Sequence, residues 1–114
     1  MEAQRILAKT RPLYERYSDP VVKAMRPWLE GKIARGLGRK AEAEAFFHAA
    51  REAFASLGNP YRRALVLLDL AALHAEQGKM AELQRIAEEI LPVFTKRKIA
   101  PETEATLALL QKVP

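Results

Sequence analysis

The stretch Phe54-Ala55-Ser56-Leu57-Gly58-Asn59-Pro60 decides the fold, because its landmarks recur at a spacing of forty residues. Forty residues earlier stands Tyr14-Glu15-Arg16-Tyr17-Ser18-Asp19-Pro20, with an aromatic at its head and a capping residue before proline at its foot. Forty residues later Phe94 keeps the aromatic in register. The same offset pairs Gly38 with Gly78, Glu42 with Glu82, and Trp28 with Leu68. It also aligns Ile6, Phe46 and Ile86, and Leu7, Phe47 and Ala87. So many coincidences at one offset identify an internal repeat.

Turn signals divide each repeat into two helices. In Asp19-Pro20 and Asn59-Pro60 a side-chain oxygen can satisfy a free amide of the first turn. Proline then occupies the first helical position, where its missing N–H is not needed. Gly58 is placed to end the preceding helix in a left-handed conformation. Gly36 and Gly38 mark one helix–helix turn and Gly78 its equivalent. The pattern predicts helices over 2–17, 20–35, 40–57, 60–77, 80–97 and 101–112. The expected organisation is a single domain over 1–114, with a half repeat at 1–19, repeats at 20–59 and 60–99, and a terminal helix at 100–114. The segment Ala64-Leu65-Val66-Leu67-Leu68-Asp69-Leu70 is apolar nearly all round, as expected of a central helix covered on most sides. Pro12 and Pro92, eighty residues apart, fall inside predicted helices and are expected to bend them.

Composition agrees with an all-α class. The chain has 20 alanines and 15 leucines against five valines and five isoleucines, a bias toward strong helix formers. There is no cysteine, which excludes disulfides and thiolate metal sites. No apolar run approaches the roughly 20 residues of a membrane helix, and no signal-like segment opens the sequence, so the expected location is cytoplasmic. The net charge of +5 is uneven, since residues 1–40 carry ten basic and four acidic side chains while the remainder is nearly balanced. A basic first third suits an acidic partner or nucleic acid, or is a solvated surface with no partner.

At this point the residues resemble the tetratricopeptide repeat family. One repeat offers Gly31, Gly38, Glu42-Ala43, Phe47 and Ala50; the next offers Leu67, Leu70-Ala71, His74, Gly78, Glu82-Leu83, Ala87 and Ile90. The usual period is about 34 residues, so forty resembles the long-repeat variants of bacterial regulatory proteins. The resemblance implies antiparallel helical hairpins stacked as a right-handed solenoid of about six helices. It further implies a groove lined by the first helix of each hairpin and a protein or peptide ligand. In departure from the family, Pro27 and Ala34 replace bulky residues, His74 stands where an aromatic is usual, and Ala87 replaces an aromatic. On this phase the chain opens with a lone second-type helix and closes with a lone first-type helix. The ends are then cut from a longer array, pair with another copy, or act as their own caps.

The candidate groove residues are Trp28, Lys32, Arg35, Leu68 and Asp69. Trp28, Lys32 and Arg35 share one helical face, a combination suited to an acidic or aromatic peptide. They are equally compatible with a core tryptophan flanked by snorkelling cations. Asp69 interrupts an apolar helix and needs a partner or water. It either contacts a ligand from the groove or pairs internally with Arg35, Arg62 or Arg63. His48 and His74 have no second ligand at metal spacing. His74 is expected to be a hydrogen-bonded replacement for an aromatic. No residue pattern supports catalysis, and no cofactor is implied. The expected function is therefore a protein-binding scaffold without enzymatic activity. The alternative is nucleic-acid binding through the basic first third, against which Glu42, Glu44 and Glu52 stand on the next helix.

Overall fold

The computed structural model describes residues 19–114, all-helical with no strand among them. Five helices follow in order: α1 Pro20–Gly36, α2 Lys40–Ser56, α3 Pro60–Glu76, α4 Met80–Lys96 and α5 Ala100–Leu110. They match five of the expected spans to within two residues at either end. The sixth, over 2–17, lies outside the described residues, as does Pro12.

The first four helices are each 17 residues long, and helix starts fall every twenty residues. The joints explain this regularity. Gly38, Gly58 and Gly78 adopt φ of 78°, 64° and 73°. The following amide reaches back across each turn, from Arg39 to the Ala34 carbonyl at 2.9 Å, from Asn59 to Phe54 at 3.0 Å and from Lys79 to His74 at 2.9 Å. A left-handed residue followed by this long backbone bond is the Schellman ending, which satisfies carbonyls that the helix itself leaves free. Two of the first-type helices, α1 and α3, also have side-chain caps, while α5 has none. Asp19 Oδ1 accepts from the Val21 amide at 2.8 Å and Asn59 Oδ1 from the Arg62 amide at 3.1 Å. The second-type helices α2 and α4 have none.

With three-residue joints, consecutive helices fold back on one another: α1 meets α2, α2 meets α3, α3 meets α4, and α5 packs on both α4 and α3. α3 is central. It buries Ala64, Val66, Leu67, Leu70, Ala71, Leu73 and His74, whereas α1 buries only Ala24, Gly31 and Ala34. The apolar-all-round reading of α3 thus holds. The contrast is sharpest between register mates: Leu73 is 0 % exposed and Ile33 is 64 % exposed. Leu29 and Leu37 are also exposed on α1. α4 runs unbroken through Pro92 and α1 through Pro27.

At Gly31 the backbone of α1 lies close against α2. A Cβ there would lie 2.7 Å from the Phe47 ring, well inside contact distance, and Phe47 is fully buried. One repeat on, the same two positions hold Ala71 and Ala87, both buried. The smaller residue at 87 leaves room for a methyl at 71, where the Phe47 ring leaves none at Gly31.

The fourth joint uses Lys98 where its three predecessors use glycine. Its φ is 56°, and the Ile99 amide still reaches the Phe94 carbonyl at 3.0 Å. A side chain in this left-handed region costs roughly 1–2 kcal/mol, partly offset because glycine loses more freedom on folding, by about 0.4–1 kcal/mol. Lys98→Gly is therefore expected to raise the thermal midpoint by about 2–6 °C. A melt showing no rise would mean that the strain at the fourth joint is no larger than the entropy that glycine loses there.

Candidate functional site

Four of the five candidate residues meet where α1 lies beside α3. Trp28 is half-buried, its ring edge-on to Phe54 with centroids 6.0 Å apart. Its indole N–H donates to Asp69 Oδ2 at 2.7 Å. Lys32, one turn further along α1, places its ammonium 3.7 Å from the same oxygen and 4.7 Å from the Trp28 ring centroid. One more turn brings Arg35, whose Nε donates to Glu76 Oε1 at 3.0 Å, with Nη2 donating to the same oxygen. Trp28 to Asp69 and Arg35 to Glu76 are both separations of forty-one residues. The two first-type helices therefore stand side by side in the phase of the repeat.

Lys32, Arg35, Gly36, Asp69 and Glu76 line an open depression of about 470 Å³. The hydrogen bond from Arg35 is the main reason that the Glu76 carboxyl lies below its ordinary range. Partial burial opposes this, while the charges of Arg35, Lys40 and Lys112 add to it. The depression is thus edged by alternating cations and acids, each with hydrogen-bonding capacity left over.

Asp69 pairs with Trp28 and Lys32, not with Arg35, Arg62 or Arg63. Arg35 is taken by Glu76, and Arg63 reaches Glu89 at 3.0 Å. The Trp28 ring packs against the core and its N–H is taken by Asp69, so that of the two it is Asp69 that lines the depression. Leu68 is half-buried against the core and does not line the depression. Glu76 is the site residue that sequence reasoning missed. The forty-residue offset from Arg35 leads to Ala75, so the repeat alone does not single Glu76 out; the observed pair is forty-one residues apart.

A second polar group sits on the other side of α3. His74 is 3 % exposed, and its Nδ1 has no hydrogen-bond partner, nor does Gln77 Oε1 one turn on. The hydrogen bond expected for His74 is absent at Nδ1, while Gln77 is the side chain that bears on the ring as a hydrogen-bond partner. Burial lowers the His74 pKa, and Lys79 adds to the lowering, while Glu44, Gln77 and Glu82 oppose it. Glu44 is itself engaged by His48 at 3.7 Å and Lys79 at 3.5 Å. Among the described residues no three His, Cys, Asp or Glu side chains are grouped to hold a metal.

Comparisons with protein-family models, with curated proteins and with solved structures gave no match to this chain. No described helix is long and apolar enough to cross a membrane.

His74 makes stability depend on pH in a defined direction. Its folded-state pKa lies below the ordinary 6.5, so the unfolded chain binds the proton more readily. The stability associated with a neutral His74 is complete above the unfolded value and is lost as pH falls through the lowered folded value. Thermal melts between about pH 7.5 and pH 5 are expected to show a decline that His74→Leu flattens. An equal decline in both proteins would place the titrating group elsewhere.

Proposed function

We propose that this chain is a protein- or peptide-binding scaffold of the tetratricopeptide type, without enzymatic activity. Its helical hairpins are read as a right-handed solenoid whose groove is lined by α1 and α3. The observation that carries this reading is the half-buried Trp28, anchored to Asp69 across two helices of equivalent phase and bordering an open polar depression. Such an arrangement is already ordered before a ligand arrives, which limits the entropy lost on binding. A half-buried tryptophan already held in place is the kind of anchor on which interface energy concentrates.

The pairing of cations disfavours the nucleic-acid alternative. Of the six cations among the described residues of the basic first third, four are in ion pairs: Arg26 with Glu30, Lys32 with Asp69, Arg35 with Glu76 and Arg39 with Glu42. A phosphate-binding surface presents its cations unpaired, with a steep dependence on salt. Self-association has its own supporting observation in the exposed Leu29, Ile33 and Leu37 on the outer side of α1. Those residues suit contact with a second copy.

Trp28 is the only tryptophan, so its emission reports directly on the groove. Peptides selected from a random library against the full chain are expected to shift that emission. They should lose about 2 kcal/mol or more of binding energy to Trp28→Ala, with folding of the variant checked by circular dichroism. Ligands that leave the emission unchanged and bind the folded variant as tightly would place the binding surface elsewhere.

A further inference from the structure

We propose that Glu76 is a built-in competitor in this groove, its carboxylate occupying the place on Arg35 that a carboxylate of an acidic peptide takes on binding. The inference rests on the groove reading above and names its ligand class. Several independent features of the site converge on it.

Glu76 is poorly placed for its own helix. It is the last residue of α3, where unpaired carbonyls gather partial negative charge and an acidic side chain is disfavoured. It is nonetheless held there by the Arg35 guanidinium, which stands in the last turn of α1, where a cation is favoured. The acid is thus the member of the pair with a reason to be replaced.

The pairing itself is incomplete. Both Arg35 donors, Nε and Nη2, converge on the single oxygen Oε1. The stronger arrangement for arginine is two parallel bonds to the two oxygens of one carboxylate. Nη1 and Glu76 Oε2 remain outside the pair. Its side chains are 31 % and 38 % exposed, so a ligand carboxylate can exchange with Glu76 without uncovering a buried charge. Exposed ion pairs of this kind are weak.

The surroundings favour an anion. Arg35, Lys40 and Lys112 all act on Glu76 as positive charges, three cations around one acid. Removing the acid's charge from their midst leaves a locus of net positive charge. Gly36 provides the room: a Cβ built there meets nothing within 4 Å, and its backbone is not in the left-handed region that requires glycine. The ligand chemistry is therefore a run of carboxylates on an extended peptide, with the main chain passing over Gly36 and one carboxylate replacing Glu76 on Arg35.

The test titrates the full chain with acetyl-hexaglutamate amide, with the matching hexaglutamine peptide and with inorganic phosphate, following Trp28 emission and heat. Glu76→Gln is expected to tighten hexaglutamate binding roughly two- to fivefold, the range for removing an exposed competing ion pair. Arg35→Gln should weaken it. Glu88→Gln, which removes the same charge from the exposed face of α4, controls for net charge and should match the parent once the shared Coulomb gain is subtracted. Thermal melts verify that all three variants fold. Equal or weaker binding by Glu76→Gln relative to Glu88→Gln overturns the competitor role. Hexaglutamine binding as tightly as hexaglutamate, with the same Trp28 response, overturns the acidic ligand class while leaving the groove reading in place. Phosphate binding as tightly as the peptide overturns the assignment to a peptide. A hexaglutamate that binds without moving Trp28 overturns both this inference and the groove itself.

Discussion

The left-handed joint every twenty residues is the constraint on which the rest depends. Each joint ends a helix with the same backbone bond and starts the next three residues on. Helix starts recur every twenty residues, so residues forty apart in sequence recur at the same position of alternate helices. The step from forty to forty-one in the observed pairs is the small slide between neighbours that lets Trp28 meet Asp69 and Arg35 meet Glu76. A joint one residue longer would rotate the following helix by about 100° and separate both pairs at once.

Packing within each hairpin adjusts to its own residues without disturbing this frame. The bare backbone at Gly31 accepts the Phe47 ring, and the equivalent pair of Ala71 and Ala87 reaches closure with two small residues. Phe54 and Phe94, the aromatics of the original register, are both fully buried and both meet a second aromatic edge-on, Trp28 at 6.0 Å and Tyr61 at 6.3 Å. The edge-to-face geometry places the positive rim of one ring against the negative face of the other. Trp28 therefore serves two layers. Its ring ties α1 to the buried Phe54 of α2, and its N–H ties α1 to α3. Polar positions in the core follow the same economy of local solutions, as when the buried Thr106 hydroxyl donates to the Glu102 carbonyl at 2.8 Å.

Much of this was legible because it is local. Asp19 and Asn59 cap the helices they precede, and the glycines at 38, 58 and 78 adopt the conformation that makes glycine the residue of choice. Helix boundaries followed to within two residues. The central burial of α3 was readable from its unbroken apolar run. Less legible were features set by how helices meet. Asp69 had several cations within sequence reach, and only the slide between α1 and α3 decides that Trp28 and Lys32 take it. Nothing local marks Glu76 as the partner of Arg35. Lys98 occupies the position of the three joint glycines without being a glycine. His74 was expected to find a hydrogen bond, and its burial among Glu44, Lys79, Gln77 and Glu82 leaves Nδ1 without one.

The side-by-side placement of α1 and α3 is tested most directly by a double-mutant cycle on Trp28→Phe and Asp69→Leu, with stabilities taken from denaturant unfolding. Phenylalanine keeps an aromatic against Phe54 and removes only the indole donor, while leucine removes the acceptor. A hydrogen bond to a carboxylate across the two helices predicts a coupling energy of about 1 kcal/mol or more. Losses that add to within about 0.3–0.5 kcal/mol would contradict it, leaving Trp28 and Asp69 as independent side chains and the groove between them without its anchor.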